Sequence, residues 1–576
     1  MRDKREFDSI LQAIDGRHPS EYSKLTGDFD FTRFVLHNIN VPAFAQEPCD
    51  CLFVIHVPQM IAGFPENLFD SPIRRTALED YLARKMDDSI HRILHADETA
   101  AIDSRISIAR PGQTILPRSS IILVRDYVEA RVTIRLPVHG GVISADEARS
   151  IFFDDLPTIV NASLIHCYLN GKELSRFVQL MEDADIIRQD LVKRGLVSFA
   201  ATGSKLARRA NSDQPRCDGP ALAVDPDLES ELSVSAGSRV RGLAIPAGVT
   251  LVIGDAYSGR SDLINGLATG IYNHIPDDGR ERVISIPDAV QIVADAARSV
   301  QRVDLSPFMI DLPDGSSAKE FSTECASPAE AQMAGVIESI HAGAQALFFD
   351  EASSDPAFLS SDSRIASLIS ATGRRMASLS SLSRQIVDDL RISVVVGACA
   401  CAADFIPVAD TILLMEDYRI RDITKDAKAL GISPRTDLPR VQFPASGKPV
   451  RWIIPSSIDP GLGLDDAIIR TNGRFILQFG RSVIDLSAVP QLADDHQTMA
   501  IGLLLYHAKL HHLDDSRTVA DLLDLLDQDL STEGMDAITR DLRGDLARPR
   551  RFEVAAVLNR LNTLRLSPDN GSVSSR

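Results

Sequence analysis

The sequence predicts an α/β fold in which helices pack on a parallel sheet, and three observations predict it. Between about residues 233 and 430, short apolar strands alternate with helical stretches. One of them, Val249-Thr250-Leu251-Val252-Ile253, is a continuous apolar run of the kind buried in parallel sheets. It leads into a turn with glycine at both ends, Gly254 and Gly259, after which apolar residues recur at helical spacing to Leu267.

The 576 residues exceed the length of one ordinary domain, and composition bounds the class. The apolar fraction of 44% and charged fraction of 24% suit a soluble globular chain. No apolar run has the roughly 18–20 residues needed to cross a bilayer, so no membrane partner is expected. The start, Met1 to Phe7, is charged and lacks an apolar signal core, so export is not expected. The seven cysteines include two C-x-C pairs but lack zinc-type spacing, which fits reduced thiols in a cytoplasm. A net charge of −19 gives no general attraction for nucleic acid or anionic lipid.

In chain order, residues 1–210 read as an α+β unit, with helical stretches at 74–94 and 144–169 and a strand at 130–136. Residues 210–229 hold Pro215, Gly219, Pro220 and Pro226 among polar residues and read as a linker or long surface loop. The α/β unit follows over 233–430. A second break at 432–449 carries Pro434, Pro439, Pro444, Gly447 and Pro449. The last unit, 450–566, is mostly helical, with helices at 497–512 and 519–530. The polar tail from Ser567 is expected to be disordered.

The turn after Ile253 fits a phosphate-cradling loop. The pattern G-x-x-x-x-G-K-[ST] lays backbone N–H groups around phosphates, a lysine on the β/γ oxygens and a hydroxyl on Mg²⁺. Gly254, Asp255, Ala256, Tyr257, Ser258, Gly259, Arg260 and Ser261 match it except at the lysine, which is Arg260. Arginine keeps the charge, but its planar guanidinium does not replace a compact ammonium in a tight loop. Asp262, on the first helical turn, adds a negative charge beside the phosphate position.

Ala346-Leu347-Phe348-Phe349-Asp350-Glu351 is an apolar strand ending in two acids. At such a tip Asp350 can hold Mg²⁺ and Glu351 can polarise the water that attacks a γ-phosphate. Upstream, Ser327-Pro328-Ala329-Glu330 opens a helix and has two readings. In one, helix N–H groups face the γ-phosphate bound by a second subunit, with Ser327 among the contacts, although Pro328 lacks a donor and Glu330 is negative. In the other, Ser327 is an N-cap, Pro328 the first helical residue and Glu330 the capping-box partner.

Together these segments resemble the predicted ABC-class ATPase family, soluble P-loop ATPases distinct from membrane transporters. The likeness runs through Arg110-Pro111-Gly112-Gln113, Tyr127-Val128-Glu129-Ala130-Arg131, residues 242–250, Tyr272-Asn273-His274-Ile275-Pro276, Asp278-Gly279-Arg280, Asp304-Leu305-Ser306-Pro307-Phe308, Val408-Ala409-Asp410-Thr411 and residues 545–553. The family has Gly-Gly-Gly-Tyr-His-Gly-Lys-Ser-Thr at 254–262, Ala-Ser-Gly-Ser at 326–329, and a Gly-Gly-Ser-Gly-Asp run where this chain has alanines and cysteines before Asp404. The family usually has Asp-Glu-Asp-Thr-Ser at 350–354. The resemblance implies an ABC-type P-loop nucleotide-binding core flanked by an α+β N-terminal domain and a mostly helical C-terminal domain. It further implies ATP and Mg²⁺ as ligands, a homodimer, and RNA binding in some members. Every departure falls on a nucleotide-contacting segment.

The expected function is ATP binding with weak or lost hydrolysis. Two alternatives stand beside it: a pseudo-ATPase scaffold or RNA-binding dimer that needs no nucleotide, and an active ATPase with an arginine P-loop. Lys205, Arg208, Arg209, Arg548, Arg550 and Arg551 are the basic residues available for RNA, although solvated loops read the same way. With one Trp and 5% aromatics no base-stacking platform is indicated. His507 and His511 lie four apart with His512 following; without a nearby acid ligand, a surface or partly buried helix is expected rather than a metal site.

Overall fold

Five short segments of the α/β region form adjacent parallel strands, and the central three are buried along nearly their whole length. In the computed structural model, which describes residues 1–38, 49–94, 105–309, 317–360, 376–432, 441–443, 451–461, 467–514 and 516–567, these are β1 (Val249–Ile253), β2 (Ala289–Gln291), β3 (Ala346–Asp350), β4 (Ser393–Ala398) and β5 (Thr411–Glu416). They run in the order β5-β1-β4-β3-β2. Ile253 is level with Ala398, and Asp350 with Gly397, so the carboxyl ends of β1, β3 and β4 lie side by side. Ligands of open α/β sheets bind beyond such ends.

The chain divides into two compact units, Met1–Glu182 with Met535–Arg548, and Asp183–Gly534 with Pro549–Arg576. In the first, Cys49–Pro58 and Tyr127–Leu136 pair antiparallel along ten residues each at the centre of a mixed sheet. Helix Pro72–Leu94 lies in this unit, as does the 144–164 region, where a π-helical turn at Ser150–Asp155 joins two short α-helices. The returning segment is fixed on the sheet by Arg131, whose guanidinium makes two 2.6 Å bonds to Asp536 and one of 2.9 Å to the Arg543 carbonyl.

In the second unit, antiparallel strands Glu229–Ser233, Arg239–Pro246, Leu196–Ala201 and Val283–Ser285 form a separate sheet. The proline-rich stretch 210–229 is more than a linker: Ala223–Val224 pairs in parallel with β6 (Arg419–Asp422) and extends the main sheet. The two-residue strand is too short for a periodicity signal. The C-terminal part of this unit combines a three-stranded meander (Ile469–Asn472, Ile476–Phe479, Ser482–Asp485) with helices Asp495–His511, Val519–Thr532 and Arg551–Arg560. Most of the break at 432–449 and the tail beyond Ser567 lie outside the described residues. Among the described residues, no helix is long and apolar enough to cross a membrane.

Two positions give tests of this packing. A Cβ at Gly242 would lie 2.2 Å from the Ala200 carbonyl oxygen, so Gly242→Ala should destabilise the second unit by about 3 kcal/mol. An unfolding midpoint equal to that of Gly171→Ala, where a Cβ meets open space, would contradict this packing. Both ring nitrogens of His341 are buried without a hydrogen-bond partner, and burial, then Arg451, pushes its pKa from 6.5 down to about 3. Between those values the unfolded chain binds a proton that the folded chain refuses, so stability is full above pH 6.5 and falls as the medium is acidified. His341→Leu should flatten the dependence of the unfolding midpoint on pH; an unaltered slope would exclude this residue as the cause.

Candidate functional site

The turn after β1 begins at Gly254, where a Cβ would come within 2.5 Å of Ser258 Oγ. Asp255 folds the loop on itself: its Oδ1 accepts from Ala256 N at 2.8 Å and its carbonyl from Ser258 N at 3.2 Å. Tyr257 stands exposed with a positive φ of 65°, and Gly259 (φ 92°) caps helix α1 (Arg260–Thr269). Ser261 and Asp262 are half-buried on its first turn.

Arg260 turns back across the loop. Its Nη1 donates to the Gly254 carbonyl at 2.8 Å and its Nε to Asp350 Oδ1 at 3.2 Å, with Glu351 Oε2 3.9 Å from Nη1. The side chains of Arg260 and Asp350 are 10% and 3% exposed, so the pair meets in a poorly solvated place where charge pairing is strong. Gly397 permits this approach: a Cβ there would sit 3.1 Å from Asp350 Oδ1 and 2.8 Å from Ile264 Cγ1.

Glu351 begins the turn after β3. Its carboxylate accepts from the backbone N–H groups of Cys399, Ala400 (3.1 Å) and Cys401 (3.0 Å) just beyond β4. Burial, then the neighbouring Glu351 charge, pushes the Cys401 thiol up to about 12, so it stays neutral near pH 7. Asp262 accepts the hydroxyl of Tyr418, whose ring covers Gly259 so closely that a Cβ there would be 2.8 Å from it. Burial and that bond raise the Tyr418 phenol well above its ordinary range. Tyr418 follows Asp417 in a tight turn between β5 and β6, both residues at positive φ. Sequence reasoning missed Tyr418, because Asp-Tyr is not a pair that marks such turns. It also missed Gln291 at the end of β2, whose Nε2 donates to Asn265 of α1 at 2.8 Å.

At helix α2 (Pro328–His341) the structure realises the capping-box arrangement. Glu330 N donates to Ser327 Oγ at 3.3 Å, and Ser327 N to Glu330 Oε2 at 2.8 Å. Hence the Glu330 carboxylate folds onto its own helix terminus. Three of the basic residues considered for RNA are likewise paired internally: Arg208 with Asp278, Arg550 with Glu553, and Arg551 with Asp524 and Asp527. Lys205 donates to the Cys217 carbonyl at 2.9 Å.

The arrangement brings Gly254, Arg260, Asp350 and Glu351 together at one end of the sheet, with Asp262 beside them on α1; Ser327 opens a different helix. Family comparisons match three successive segments of the chain. A model described as ABC_ATPase, P-loop domain, matches residues 170–442, and ABC_N, the N-terminal region of ATPases of the ABC class, matches 4–167. The MRB1590 C-terminal domain matches 469–567. No curated protein matches the chain. Among solved structures, cbiO1 from Clostridium perfringens, described as part of the ABC transporter complex cbiONQ, is similar at 14% identity. That likeness covers 41% of this chain and 91% of that one, with a TM-score of 0.23. With the P-loop domain and the N-terminal domain of the class matched on successive segments, the chain belongs to the ABC-class ATPase family, whose P-loop supports nucleotide binding.

Proposed function

We propose that the protein binds ATP as a member of the ABC ATPase class and hydrolyses it weakly or not at all. The observation that supports this is the contact of Arg260 with both the Gly254 carbonyl and Asp350. The P-loop cation is thereby directed at the protein's own acid rather than outward. In this reading the backbone of 254–262 with Arg260 meets the phosphates, Ser261 and Asp350 hold Mg²⁺, Glu351 is the base for water, and Ser327 of a second copy faces the γ-phosphate in a homodimer. The glycine-shaped turn suits phosphate. Asp350 suits the metal only once Arg260 releases it, because a guanidinium and a divalent cation compete for the same carboxylate. Mg²⁺, when bound, supplies charge neutralisation at the β/γ oxygens.

Equilibrium binding of ATP to the purified full-length chain, with and without Mg²⁺, tests the proposal. Weak binding that gains little from Mg²⁺ is the expected result. Submicromolar Mg·ATP affinity would overturn the impaired-site reading, and no ATP binding would favour the scaffold. Arg260→Lys with Asp262→Thr restores the compact ammonium and removes a negative charge, and should tighten binding by about tenfold or more, some 1.4 kcal/mol. No gain would show that the loop does not cradle phosphate.

Turnover should need a further repair. A positioned donor at developing charge is worth about 3–4 kcal/mol, and Pro328 lacks one while Glu330 adds negative charge. Adding Pro328→Gly and Glu330→Gln to the repaired loop should raise hydrolysis by roughly 10²–10³-fold, and Glu351→Gln should abolish the gain. Ordinary ABC rates in the unmodified protein, sensitive to Glu351→Gln, would instead establish an active enzyme.

A further inference from the structure

On helix Asp495–His511 no acid stands at helical spacing from His507 or His511, yet the packing of a second helix supplies one. Helix Asp495–His511 ends beside helix Val519–Thr532, and Asp529 of the second helix reaches the histidines of the first. His507 Nε2 lies 2.9 Å and His512 Nε2 2.6 Å from the same oxygen, Asp529 Oδ2. One donor atom from each of the three residues falls within 4.8 Å of the others. The His511 ring stands 4.6 Å from that of His507, centroid to centroid.

We propose that His507, His512 and Asp529 bind a divalent transition-metal ion of the zinc class, with His511 or water in the fourth position. Two imidazole nitrogens and one carboxylate oxygen form a borderline-soft donor set suited to Zn²⁺, and less to Mg²⁺ or Ca²⁺, which prefer oxygen. Metal–ligand bonds of about 2.0–2.2 Å need donors somewhat farther apart than the present hydrogen bonds, so small side-chain rotations suffice. The three side chains are only 13–26% exposed, which limits competition from water while leaving an entry path. Two of the histidines sit in the last turn and at the cap of their helix, where the partial negative charge of the C-terminus favours a cation. Bound there, the ion would tie two helices together at a place where the chain has no disulfide among the described cysteines.

The test uses the untagged full-length protein, since an affinity tag of histidines would itself bind the probe. After chelation and dialysis, titration with Co²⁺ should saturate at one equivalent with visible ligand-field absorption and no thiolate charge-transfer band. Zn²⁺ should displace it and raise the unfolding midpoint. His507→Gln with His512→Gln, and separately Asp529→Asn, should weaken Co²⁺ binding by about 100-fold or more, since outer-shell changes alone cost 10–100-fold. A thiolate band in the wild-type spectrum would place the ion at cysteines and overturn the assignment. So would unsaturable binding, or binding undiminished in the folded variants. Should the double variant fail to fold, the wild-type spectrum and stoichiometry decide alone.

Discussion

The contact between Arg260 and Asp350 sets the character of the nucleotide end of the sheet. Asp350 lies at the tip of a strand buried along its length, where an unpaired carboxylate would carry a heavy desolvation penalty. A guanidinium can donate to a carbonyl and a carboxylate at once from different nitrogens of one plane, and Arg260 does so. A lysine has a single nitrogen and a shorter reach across the turn. Arg260 therefore acts as a clamp that closes the loop on the strand beside it.

The other altered segments follow the same logic, each satisfying itself internally. Glu351 takes three backbone donors from the residues after β4, Asp262 takes the Tyr418 hydroxyl, and Glu330 closes the capping box at the head of α2. Each of these acids would otherwise stand without a partner. Their internal partners remove the penalty of leaving those charges unpaired.

What the sequence revealed was local in origin. Strands Val249–Ile253 and Ala346–Asp350 were legible because a largely apolar run ending at glycine or at acids has few other solutions. The cap at Ser327 was legible because its four residues carry their own geometry. Contacts between residues far apart in the chain gave no such signal. Tyr418 over Gly259, the donors of residues 399–401 under Glu351, and Asp529 between two histidines depend on how elements pack, and no spacing rule reaches across those distances. The histidine pair shows the cost of that blindness, since the missing acid stands 17 residues beyond His512.

Several segments that carry the family likeness hold the architecture rather than the nucleotide. Asp278 pairs with Arg208 and His274, and Arg280 donates to the Leu206 carbonyl. Arg550 joins Glu553 to the Pro287 and Ala289 carbonyls, with its guanidinium 5.6 Å from the Tyr272 ring. In the first unit, Arg131 ties the returning segment to the central sheet. These charges are largely buried and mutually dependent, so losing one partner would strand the other in a poor solvent. Residues at the strand tips face a lighter constraint, because a substituted side chain there can find a new partner without moving a strand.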